Sequence, residues 1–192
     1  MVNALPTWSG SGRRWAPLVD EPRWAYWPGY DLHAMDHAHL IDQLERQGKL
    51  FAELFGGTDH EEQLHRAAPG KWCLLEAICH LRDEEQEDFR ARVKHVLETP
   101  DLPMPKIDPQ AWITDRRYVE QDFATVLKDF LAERGKSVTW LRSLGAPNWK
   151  SFYLHPKVGP ISAEFLLANW VAHDIHHIRQ VNACLLYTSR CV

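Results

Sequence analysis

Apolar residues recur with a helical period in four stretches of the chain, and no stretch alternates long enough to read as a half-buried strand. Asp31 is placed to cap a first helix over about 31–55, which stops at Gly56-Gly57. A second helix, about 71–98, starts at Lys71-Trp72 after Pro69-Gly70 and runs to Thr99-Pro100. Pro100, Pro103, Pro105 and Pro109 then make 100–114 a non-helical crossover. A third helix, about 115–144, carries Val119, Phe123, Val126, Leu127, Phe130, Leu131, Val138 and Leu141 and closes at Gly145 and Pro147. The loop 145–160 holds Trp149, Phe152, Tyr153 and His155, and Gly159-Pro160 opens a fourth helix. Four long amphipathic helices predict an all-α antiparallel four-helix bundle, and the long crossover allows a non-sequential helix order.

The first 30 residues break this pattern. They are rich in Pro, Gly, Ser and Trp and hold four of the nine tryptophans (Trp8, Trp15, Trp24 and Trp27). They read as an irregular arm whose rings pack onto the domain, since large apolar rings are unfavourable in water. Residues 31–183 read as one domain with enough chain to bury a core. The last nine residues, Cys184-Leu185-Leu186-Tyr187-Thr188-Ser189-Arg190-Cys191-Val192, read as a translated transposase-adapter end. Cys-Leu-Leu-Tyr-Thr-Ser translates one half of that adapter's inverted repeat and Arg-Cys-Val the other, so the native sequence is expected to end near Ala183.

Charge and composition exclude some partners. The net charge is −4 and no Lys/Arg run stands out, which argues against nucleic acid. No apolar stretch is long enough for a bilayer and the N-terminus lacks a signal-peptide signature, so no membrane partner is expected and the expected location is cytoplasmic. Cys73 and Cys79 lie six apart on one helix, about 9 Å along its axis. That is too far for an easy disulfide, and they read as buried free thiols.

The chemistry concentrates in Ala172-His173-Asp174-Ile175-His176-His177. At 100° per residue, Leu166, Trp170, His177 and Val181 fall within about 80° of His173, so both histidines share an inward stripe. His176 points to the other side and reads as outside or at the rim. On the second helix, His80 shares its stripe with Cys73, Ala77 and Glu84. Three histidines from two helices, with an open position left over, are how catalytic sites for borderline-soft divalent metals are built. Glu84 is the in-register carboxylate and the catalytic candidate, flanked by Asp83 and Glu85, and one of the three could orient an imidazole or hold a metal-bound water. Asp174 falls among apolar neighbours and is expected to pair with a buried Arg or Lys. A competing pair, His33 and His37, has the same spacing on the first helix, but no second segment completes a site around it. The remaining alternative is a non-catalytic metal-binding or interaction module whose tryptophan-rich arm contacts a partner.

Two segments resemble the DinB-like superfamily of metal-binding four-helix bundles. Gly70-Lys71-Trp72-Cys73-Leu74-Leu75-Glu76-Ala77-Ile78-Cys79-His80-Leu81 resembles its tryptophan-led second helix with one ligand histidine. Ala172-His173-Asp174-Ile175-His176-His177-Ile178-Arg179-Gln180 resembles its closing histidine pair followed by a glutamine, and Gly159-Pro160-Ile161-Ser162 fits the entry to its last helix. The resemblance implies an up-down-down-up bundle, often a dimer, in which His80, His173 and His177 hold one divalent metal ion, Zn, Ni, Fe or Mn. It also implies a small-molecule substrate. The expected activity is S-transfer from a low-molecular-weight thiol co-substrate to small electrophiles, with metal-dependent hydrolysis through a metal-bound water as the alternative.

Overall fold

The computed structural model describes residues 35–188. The expected arm over 1–30, the expected cap Asp31 and His33 of the competing pair lie outside them, as does the end of the chain from residue 189.

Helix α1 (His37–Gly56) starts at Asp36, whose carboxylate accepts from the His39 N–H. A short α2 (His60–Leu64) is held by a reciprocal capping box between Asp59 and Glu62. The expected second helix is one unbroken helical run: α3 (Leu74–Glu84), a π-helical stretch (Glu85–Arg90) and α4 (Ala91–Glu98). Helix α6 (Phe123–Ser143) begins at Asp122, which caps the Thr125 N–H, so the third helix starts later than the apolar pattern implied. Val119, expected on its inward stripe, is exposed in a 3₁₀ turn (Tyr118–Glu120). The fourth helix is α7 (Ala163–Thr188), which runs past residue 183 with Cys184 buried beneath it.

Two expectations fail locally. The proline-rich crossover contains a helix, α5 (Pro109–Asp115), because Asp108 caps the Ala111 N–H and Pro109 takes the first helical position, where a missing N–H costs nothing. The expected loop 145–160 contains most of a hairpin. Strand β1 (Phe152–His155) pairs antiparallel with β2 (Gly159–Ser162), Tyr153 opposite Ile161, around a turn in which Gly159 adopts φ +82°. Tyr153 and Ile161 lie against the core while Phe152 and Leu154 face solvent. The hairpin is tied to α7, where the Ala163 N–H donates to the Ser151 carbonyl and the Glu164 N–H to that of Trp149.

Side-chain pairs fix the bundle's topology. Arg142 near the end of α6 pairs with Asp42 and Glu45 near the start of α1, and Phe130 meets Phe51, so α1 and α6 are antiparallel. His37 lies by Glu164 and Gln47 reaches the Val171 carbonyl, so α1 and α7 are parallel. His80 meets His177 while Phe89 stacks on Trp170, so the α3–α4 run and α7 are antiparallel. The bundle is therefore up-down-down-up. None of the described helices is long and apolar enough to cross a membrane.

The core is two apolar clusters. One gathers Phe51, Phe55, Ile78, Tyr118, Phe130 and Val181, the other Leu44, Phe89, Val93, Val138, Leu167 and Trp170. Each fully buried large side chain contributes about 1.5–3 kcal/mol. Every long helix crosses from one cluster to the other through buried polar residues: Gln47 on α1, Glu84 and Glu85 at the α3–π junction, Arg134 on α6, Asp174 and His177 on α7. The histidine cluster belongs to this polar layer.

Candidate metal centre

Periodicity places the three histidines where expected. His80, from α3, and His173 and His177, one turn apart on α7, offer ligand atoms that all lie within 4.8 Å of one another. His176 points outward and is exposed. Trp72, just ahead of α3, sets its ring edge-on to His80, centroids 4.7 Å apart, and stacks parallel to His177 at 6.3 Å. Phe89 covers His173 at 4.9 Å. These aromatic rings wall the imidazoles, and His173 keeps 21% of its side chain exposed.

That environment sets protonation. Burial pushes His80 and His173 down to about 4 and His177 down to about 3, helped by the mutual repulsion of neighbouring rings. All three are neutral at pH 7, the form that offers a lone pair to a metal. Gln180 settles the tautomer of His177: its Oε1 can only accept, so Nδ1, 2.8 Å away, carries the hydrogen. The lone pair of His177 is then on Nε2, which faces Nε2 of His173 at 3.1 Å. His80 leaves its buried Nδ1 without a hydrogen-bond partner. Three neutral imidazoles, one orphaned ring nitrogen and no cationic side chain among the clustered donors fit one divalent ion.

Glu84 joins this cluster. Its Oε2 lies 2.9 Å from Nε2 of His173 and 3.4 Å from Nε2 of His80. Burial raises its pKa, against the pull of His80 and Arg92. One turn on, Asp88 is pushed up to about 6 by burial and pairs with Arg92, so that cation is already engaged. The flanking acids have other partners. Asp83 accepts from Tyr118 and Arg116, and Glu85 turns toward Arg134.

Asp174 pairs with a buried cation as expected, and that cation is Arg134. Sequence reasoning missed Arg134, Glu85 and the π-helical stretch. The available signal was an arginine at the inward position between Phe130 and Val138, four residues from each. Core positions Glu85, Phe89 and Val93 are also four apart in succession. In an α-helix that spacing drifts off the core face, and the wider π turns absorb the drift. His37 stacks on Trp149, 4.8 Å between centroids, and no other metal-binding group appears among the described residues. Cys73 and Cys79 are buried free thiols, and burial pushes Cys79 up to about 12.

An up-down-down-up bundle with a three-histidine constellation in its polar layer defines a class of metal-site helical bundle. The DinB superfamily profile matches residues 43–181, and the chain belongs to that superfamily. Among solved structures it is similar to YfiT from Bacillus subtilis, described as a probable metal-dependent hydrolase with an unusual four-helix bundle topology. The TM-score is 0.74 at 20% identity, covering 85% of this chain and 94% of that one. No curated protein gives a significant match.

Proposed function

We propose that the chain is a divalent-metal-dependent enzyme acting on a small molecule, and that hydrolysis is the reaction its site supports best. The observation that carries this reading is the position of Glu84, whose Oε2 reaches both His80 and His173. In this reading His80, His173 and His177 hold the ion, Gln180 orients His177, and Trp72 and Phe89 flank the imidazoles. A divalent ion bound there supplies positive charge that acidifies a nucleophile beside it. Glu84 takes the proton from the attacking water and returns it to the leaving group. YfiT's description points the same way.

S-transfer from a low-molecular-weight thiol is the second reading, favoured by the all-imidazole donor set. Neutral ligands leave the ion's charge uncompensated, which suits a thiolate. Glu84 would take the thiol proton, the sulfur would bond to an electrophilic carbon, and the leaving group would depart with its electron pair.

The test loads the protein with Zn, Ni, Fe(II) or Mn and compares a chromogenic aryl ester without thiol against monochlorobimane with a low-molecular-weight thiol. Hydrolysis predicts thiol-independent turnover that falls about 10²–10⁴-fold in Glu84→Gln with the metal retained. Turnover only with thiol would select the second reading. Bound metal without turnover in either assay would select a non-catalytic module.

A further inference from the structure

Arg134 belongs to a helix that contributes nothing to the histidine cluster, yet it touches every other layer of the bundle. Its Nε and Nη2 donate to the two carboxylate oxygens of Glu85 at 2.9 and 2.8 Å. Nη1 and Nη2 donate to the two oxygens of Asp174, and Nη1 also donates to the Leu44 carbonyl of α1 at 2.9 Å. All five guanidinium hydrogens are thus used. The Trp170 indole N–H donates to Glu85 Oε2 at 3.0 Å, closing the network. Gly48 makes room for it, because a Cβ there would lie 3.0 Å from Cγ of Arg134.

The partners of Arg134 are the immediate neighbours of two site residues: Glu85 follows Glu84, and Asp174 follows His173. Successive residues on a helix point about 100° apart. On each helix one of the pair faces the metal centre and the other faces the guanidinium. Holding Glu85 and Asp174 on one planar fork therefore fixes the rotation of both helices about their own axes. That rotation aims Glu84 Oε2 at Nε2 of His173, the 2.9 Å contact. Stability alone is a poor reason for such a device, since buried ionic triads are often replaceable by apolar side chains without loss.

We infer that Arg134 is a positioning residue for the metal centre, setting the relative aim of Glu84 and His173 through Glu85 and Asp174. The inference rests on the metal-site reading above. It is tested on the full chain with Co(II), whose absorption bands report ligand geometry, by comparing the unmodified protein with Arg134→Lys and the triple variant Glu85→Gln/Arg134→Met/Asp174→Asn. Lysine keeps the charge but cannot fork to two carboxylates. The triple variant removes all three charges of this network.

The expected result is a helical triple variant that binds Co(II) at least tenfold more weakly and shows altered Co(II) bands. Arg134→Lys should change in the same direction. A folded triple variant with the parent's affinity and spectrum would overturn the inference. Should the triple variant not fold, an unchanged affinity and spectrum in Arg134→Lys would overturn it equally. Failure of the unmodified chain to bind Co(II) would overturn the metal-site reading itself, and this inference with it.

Discussion

Replacing Arg134 by Met keeps a stem against Gly48 but removes the guanidinium, leaving Glu85 and Asp174 buried and facing each other. Both carboxylates are almost wholly inaccessible in the folded chain, at 1% relative exposure. Breaking a buried pair in this way costs about 3–5 kcal/mol, because the remaining charges stay desolvated. For a chain of this size each kcal/mol moves the melting temperature by roughly 2–4 °C, so a drop of roughly 6–20 °C is expected. The pH dependence gives a second signature. Burial pushes Asp174 up to about 6 even with Arg134 pulling it down. Without Arg134 its folded pKa rises further above the unfolded value of about 3.9. The folded variant then binds more protons than its unfolded chain, so acidification stabilises it relative to the parent. Thermal unfolding followed by circular dichroism at pH 7 and pH 5.5 measures both effects; His173, which Arg134 also holds down, shifts upward in the variant and adds to the pH signature in the same direction. A loss below about 1 kcal/mol at pH 7, or a deficit that grows on acidification, would mean that Arg134 does not neutralise two buried carboxylates.

His177→Ala should abolish stoichiometric metal binding while the helical circular dichroism remains, whereas His37→Ala should leave metal content unchanged; elemental analysis reads both. Gly48→Ala should destabilise the protein in chemical denaturation, although alanine normally gains about 1 kcal/mol over glycine inside a helix, because its Cβ meets Arg134. A stabilised variant would contradict that packing. Cys73 and Cys79 should resist thiol-specific reagents in the native protein and react fully in denaturant, as site-resolved mass spectrometry would show; native labelling of Cys79 would contradict its buried, up-shifted thiol.

The helices and the histidine triad were legible because both rest on the 3.6-residue period, which the sequence carries locally. The inward faces of His80, His173, His177 and Glu84 were readable from their own stripes, while the convergence of the three histidines was what the resemblance of two segments to a known family implied. Arg134 was not readable in this way, since an arginine in a helix ordinarily reads as solvated and its burial depends on acids 49 and 40 residues away. The hairpin escaped because strands of four residues are too short for alternation to stand out, and its register depends on packing Tyr153 and Ile161 against the core. Helix α5 was readable in principle. Asp108-Pro109 is a cap followed by a first-turn proline, but the neighbouring prolines made it look like a break.

Every functional role proposed for this chain depends on His80, His173 and His177 holding one divalent metal ion. Elemental analysis of untagged protein, purified without chelators beside His80→Ala, decides whether they do. The site predicts about one Zn, Ni, Fe or Mn per chain, lost in the variant. No metal after reconstitution with each ion, or full metal content in His80→Ala, would contradict it.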